Sequence, residues 1–154
     1  MATTTETTSS VVKDLIQLNT DRYNGYLTAI EDADDSSLKD LFTRLSKQSN
    51  DFKNELTPFA SAEDVTSASD STSVGSKVHR AWIDIKQAIT GKDRHTILQS
   101  CEWGEDQILH AYKDALETKS GDITSDALAT IQRQESQLQE SHDMIKALRD
   151  SKMN

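Results

Sequence analysis

Leu98, Cys101, Glu105, Ile108, Tyr112 and Ala115 recur at intervals of three and four residues, a spacing that gathers them on one face of an α-helix and scatters them over both faces of a strand. Similar stripes recur elsewhere along the sequence, so the chain is committed to long amphipathic helices. Polar residues interrupt these stripes. Asn19, Glu105 and His142 each fall at the centre of an otherwise apolar face, on three different predicted helices. A carboxylate aimed at a helical core needs a partner, because stripping one member from a buried ion pair costs about 3 to 5 kcal/mol. A proton, a hydrogen-bonded network or a metal ion could each supply that partner.

The rest of the composition fits the same picture. A chain of 154 residues is long enough for one domain with its own core. With 34% hydrophobic and 28% charged residues, five glycines and one proline, it suits solvated helices with narrow apolar stripes better than a strand-rich fold. Acidic residues outnumber basic ones 26 to 17, and the net charge of −9 repels phosphate backbones and anionic lipid surfaces, which argues against nucleic acid or a membrane as partner. No stretch has the length of a membrane span. Cys101 is the only cysteine, so no internal disulfide can form, and its position in an apolar seam reads as a small buried hydrophobe. Residues 1–10, MATTTETTSS, lack the features of a signal peptide and read as a disordered tail. The domain is expected to span 11–150, with 151–154 as a C-terminal tail, in the cytoplasm.

Ser9 and Ser10 can cap a first helix to about Ala33, with Val12, Ile16, Asn19, Tyr23, Tyr26, Leu27 and Ile30 on its apolar face. After the Asp-Asp-Ser-Ser break at 34–37, a second helix runs from about Leu38 to Phe59, with Pro58 near its end. Residues 60–75, rich in Ser, Thr, Ala and Asp, read as a loop. A short helix over about 76–90 follows, closed by Gly91. Asp93 caps a third long helix over about 94–119, and the last covers about 124–150. Short links make each pair antiparallel, and the 60–93 connection carries the chain across. The expected fold is therefore all-α: a ferritin-like up-down four-helix bundle with one long crossover containing a short extra helix.

In di-iron members of that fold, two helices each supply a Glu and the other two each supply a Glu-x-x-His motif. Here Glu105 followed seven residues later by Tyr112 resembles the third-helix glutamate of ferritins. The fourth helix offers Gln139-Glu140-Ser141-His142, the second Gln48-Ser49-Asn50-Asp51, and the first Asn19. One well-positioned carboxylate cannot neutralise two divalent ions, which argues against a di-metal centre. Two readings remain open. In one, Asn19, Gln48, Glu105, Gln139 and His142 form a buried polar belt in which His142 pairs with Glu105, and no cofactor is expected. In the other, Glu105 and His142 hold a single divalent metal ion. His79, Arg80 and Trp82 on the short helix, with Trp103, form either an interaction element or the anchor of the crossover.

The stretches LKDLFTRLSKQSNDFKNEL (38–56), VHRAWIDIKQAITGKD (78–93), ILQSCEWGEDQILHAYKDAL (97–116) and HDMIKALRD (142–150) resemble a family of bacterial ferritin-like four-helix-bundle proteins that carries a domain-of-unknown-function label. The resemblance runs from Val12 to Asp150 and is most specific in the His-Arg-x-Trp and Gly-Glu-Asp segments. It implies the bundle and a bacterial source, and it assigns no catalytic residue. The function expected is a non-enzymatic module that binds a protein partner or self-associates, for instance as a homodimer. The alternative is a metal-binding protein or metal-dependent oxidoreductase using Glu105 and His142.

Overall fold

The computed structural model describes residues 3–70 and 93–151, and among these every regular element is helical. Helix α1 spans Thr4–Asp32, α2 Ser36–Leu56, α3 Ala62–Asp70, α4 Arg94–Lys119 and α5 Ser125–Asp150; single 3-10 turns follow α2 and α4. Side-chain oxygens open four of the helices. Thr3 accepts from the Glu6 amide, Asp35 from Ser37 and Leu38, Asp93 from Thr96 and Thr124 from Ala127, each satisfying an amide that has no partner within its helix.

Cross-helix bonds fix the topology. Tyr26 stacks on Phe42 while Asn19 bonds Ser49, so α1 and α2 are antiparallel. Arg22 meets Glu105 while Asn19 meets Tyr112, so α1 and α4 are antiparallel too. Gln134 bonds Phe52 and Ser141 bonds Gln48, which sets α5 antiparallel to α2. The chain leaves α2 beside the start of α1, yet Arg94 at the head of α4 bonds Asp35 and Ser37 at the opposite end. The end of α2 and the head of α4 therefore lie at opposite ends of the bundle, roughly 30 Å apart for a helix of the length of α2.

Buried positions follow a repeat of three and four residues on all four long helices: Leu15, Asn19, Arg22, Tyr26 and Ala29 on α1; Leu38, Phe42, Leu45, Ser49, Phe52 and Leu56 on α2; Leu98, Cys101, Glu105, Ile108 and Tyr112 on α4; Ala127, Ile131, Gln134, Leu138, Ser141 and Ile145 on α5. This seam is the pattern of knobs-into-holes packing. Two apolar clusters result, one around Tyr26, Phe42, Leu45, Leu98 and Ile145 and one around Leu15, Ile16, Phe52, Ile108 and Ile131.

Three expectations need correction. The tail assigned to residues 1–10 is helical from Thr4, because Thr8 and Ser9 are buried and bonded: Thr8 Oγ1 accepts from the Thr124 amide, and Ser9 Oγ accepts from the Ser61 amide and donates to Asp64. Within the stretch read as a loop, Ala62–Asp70 forms α3, which those Ser9 bonds and buried Ala68 hold against α1. On α1 the buried face is turned from the expected one, leaving Leu27 38% exposed and bringing Arg22 inside. The short helix expected at 76–90, with His79, Arg80 and Trp82, lies outside the described residues. No helix among the described residues is long and apolar enough to cross a membrane.

Candidate functional site: a buried ion pair and its polar layer

Arg22 on α1 and Glu105 on α4 are 0% and 1% exposed, and they meet fork to fork. Arg22 Nε donates to Glu105 Oε2 and Nη2 to Oε1, both at 2.7 Å. Tyr26 donates its hydroxyl to Oε2 at 3.1 Å, and its ring lies 5.6 Å from the guanidinium carbon. A bidentate pair of this kind is the strongest hydrogen-bonded arrangement available to a carboxylate, and its planar geometry is specific to arginine.

The remaining Arg22 nitrogen starts a chain through all four long helices. Arg22 Nη1 donates to Ser49 Oγ at 2.9 Å, Ser49 to Asn19 Oδ1 at 3.0 Å, Asn19 Nδ2 to the Tyr112 hydroxyl at 2.8 Å, and Tyr112 to Gln134 Oε1 at 2.7 Å. Gln134 Nε2 then donates to Glu55 at 2.9 Å, where Arg133 also binds. Every link points the same way, from a buried cation to a carboxylate at the surface. Aligned bonds in a low-dielectric interior polarise one another, so the layer is held as a unit.

The titrations follow from this setting. Burial alone would lower the Arg22 pKa, but the Glu105 charge and hydrogen bonds outweigh it and raise it above the ordinary guanidinium value. Burial, then the Glu105 charge, pushes the Tyr26 hydroxyl and the Cys101 thiol well up. Tyr112 is also raised by burial, against the hydrogen bond from Asn19. Cys101 is buried and held as the thiol, the inert state of a cysteine.

Against the expected belt, the structure keeps Asn19 and Glu105 and exchanges the rest. Gln134 is buried in place of Gln139, which lies toward solvent bonding Lys113 and Asp143. Ser49 is fully buried, whereas Gln48 is partly exposed, accepting from Ser141 at the rim of the α2–α5 groove. The expected Glu105–His142 pair does not form. His142 lies on the α4–α5 seam, its Nε2 2.6 Å from Asp106 and its Nδ1 3.2 Å from Asp143, while both oxygens of Glu105 face Arg22. The single-ion reading on Glu105 and His142 loses its geometry for the same reason. Trp103 is 45% exposed on the outer side of α4.

Arg22 is the functional residue that periodicity alone could have found. It completes the series 15, 19, 22, 26, 29, and it is absent from the apolar face expected for this helix.

Comparison with curated proteins and with solved structures returns no significant match. Residues 7–118, which contain Asn19, Arg22, Ser49, Glu105 and Tyr112, match a family of known sequence pattern, while Gln134 and His142 on α5 lie beyond the matched segment. On that match the chain belongs to the family described as Domain of unknown function (DUF2383).

Proposed function

We propose that this chain is a bacterial, cytoplasmic, ferritin-like bundle whose interior metal position has become a structural ion pair, and that it works as a non-enzymatic module binding a protein partner or a second copy of itself. One observation carries the reading: the Arg22 guanidinium occupies both oxygens of Glu105, the core carboxylate at the position where a ferritin-like bundle would carry a metal ligand. A fixed cation there takes the electrostatic role of an ion and repels a real one. The arrangement of the four long helices, with α2 and α4 parallel and α1 and α5 antiparallel to them, supports the ferritin-like topology. Trp103 and Leu27 give the outer surface its exposed large apolar side chains among the described residues, and aromatic anchors of this kind suit protein contacts.

The test combines chemistry with association. Aerobic Fe(II) should oxidise in the presence of the protein at the rate seen in buffer, both for the parent and for an Arg22→Met, Glu105→Leu double variant that keeps the layer's volume. Protein-dependent oxidation that disappears in the double variant would overturn the reading in favour of a working interior centre. Sedimentation velocity over a hundredfold concentration range should show reversible dimerisation, weakened by Trp103→Asp; a strict monomer would restrict the proposal to a heterologous partner.

A further inference from the structure

On the seam between α4 and α5, outside the buried layer, Glu102, Asp106 and His142 each bring a ligand atom to within 4.8 Å of the others. The two carboxylates are one helical turn apart on α4, so they share a face, and the imidazole reaches them from α5. From these residues we propose that the seam binds a single divalent transition-metal ion of the zinc class through Glu102, Asp106 and His142, with water completing the coordination.

Three further features favour an ion over a simple ion pair. His142 turns Nε2 toward Asp106 and contacts Asp143 through Nδ1, so the nitrogen that faces the other two ligands could take an ion while a carboxylate orients the ring from behind. That arrangement is the usual outer support of a metal-bound histidine. Glu102 has one oxygen held by Arg149 at 2.6 Å, and its other oxygen, Oε2, is buried with no hydrogen-bond partner among the described residues. A buried carboxylate oxygen without a donor is unfavourable, and a cation would relieve it. The donor set, one imidazole and two carboxylates, supplies three ligands, the number found in open zinc sites, from donor types that zinc, manganese and iron all accept. The partly exposed side chains of Asp106 and His142 leave a route for the ion.

The site is separate from the Arg22–Glu105 layer, and its occupancy would tie α4 to α5 without creating a redox centre in the core. Full-length protein, stripped with chelator and dialysed, is titrated with zinc by calorimetry and, separately, with Co(II) by absorbance. One equivalent should bind in each titration. His142→Gln and Asp106→Asn should each weaken binding at least tenfold. Asp143→Asn, which removes only the outer support, should weaken it by about 10-fold or more while the Co(II) spectrum keeps its form. All three variants alter partly exposed side chains and leave the core intact, so circular dichroism without metal should match the parent and melting should shift only slightly. Absence of zinc binding in the parent, or affinity unchanged in both ligand variants, would overturn the proposal. Binding lost instead in the Arg22→Met, Glu105→Leu variant would overturn it and the structural-pair reading together; binding retained in that variant supports the seam.

Discussion

Helix α4 presents two acidic sites within one turn of each other, and they have opposite characters. Glu105 points inward, 1% exposed, with both oxygens matched by one guanidinium. Glu102 and Asp106 point to the seam, where an imidazole and Arg149 serve more carboxylate oxygens than they can fully satisfy. The first is a closed electrostatic unit; the second is open and one cation short. The same residue type thus becomes structural or available for a ligand according to whether its partner arrives on the same face of a neighbouring helix.

The largest expected effect breaks the closed unit. Glu105→Ala leaves Arg22 fully buried without a counter-charge, and removal of one partner from a buried pair typically costs about 3 to 5 kcal/mol. The Arg22→Met, Glu105→Leu double variant removes both charges and should unfold at or above the parent's urea midpoint. Loss of several kcal/mol in the double variant as well would show that the pair stabilises the bundle beyond its own mutual satisfaction.

The next effect tests whether the chain from Arg22 to Glu55 acts as a unit. Tyr112→Phe removes a link that accepts from Asn19 and donates to Gln134, leaving both buried partners short, at a cost of about 1 to 3 kcal/mol. If the links are coupled, adding Asn19→Leu to Tyr112→Phe should cost less than the two changes summed; strict additivity would refute a cooperative layer.

These two regions were unequally visible in the sequence. The α4 seam was legible because Glu105 sits among strongly apolar neighbours, and the helix bounds at 94–119 agree with the expected ones. Arg22 was not, because hydropathy assigns a guanidinium to solvent, and only its register with Asn19 and Tyr26 reveals its face. On α5 the same error went the other way: Gln139 and His142 carry the spacing of a metal motif, but the repeat through Ile131, Leu138 and Ile145 selects Gln134 and Ser141 for the interior. The helical state of Thr4–Ser10 was hidden because its buried side chains, Thr8 and Ser9, are polar and anchor through hydrogen bonds that no hydrophobic pattern reports. Long-range pairing of polar residues is set by which helix faces which, and that is a tertiary fact.

A third prediction uses alkali, to which the closed layer should respond and the seam should not. The folded pKa values of Tyr26, Tyr112 and Cys101 lie above their ordinary values, in each case chiefly through burial. Their contribution is therefore fully present below the unfolded values, about 9 for the thiol and 10 for the phenols, and is lost as pH rises toward the folded ones. Each group that stays protonated only in the folded state lowers stability by about 1.4 kcal/mol per pH unit above its unfolded value. Urea midpoints should fall from about pH 9 upward, with a shallower fall above about pH 10 for Tyr26→Phe and a later onset for Cys101→Ala. Identical slopes in parent and Tyr26→Phe would mean that the buried phenol does not titrate with unfolding.

The smallest effect is expected at the open site. In chelator, His142→Gln breaks contacts to Asp106 and Asp143; the pair with Asp106, whose side chain is 49% exposed, is worth about 0 to 1 kcal/mol. The acid arm should register it first. The hydrogen bond from His142, followed by that from Gln139, holds the Asp143 carboxyl below its ordinary value. That contribution is present above the unfolded carboxylate value and is lost as pH falls through the folded one, so the variant should lose less stability than the parent on acidification. With zinc present the order reverses: a hundredfold excess over Kd adds about 2.7 kcal/mol to the parent and, where His142 is a ligand, far less to the variant. A variant that loses 3 kcal/mol or more in chelator would make the seam part of the core, and the contrast between a closed and an open carboxylate site on α4 would fail.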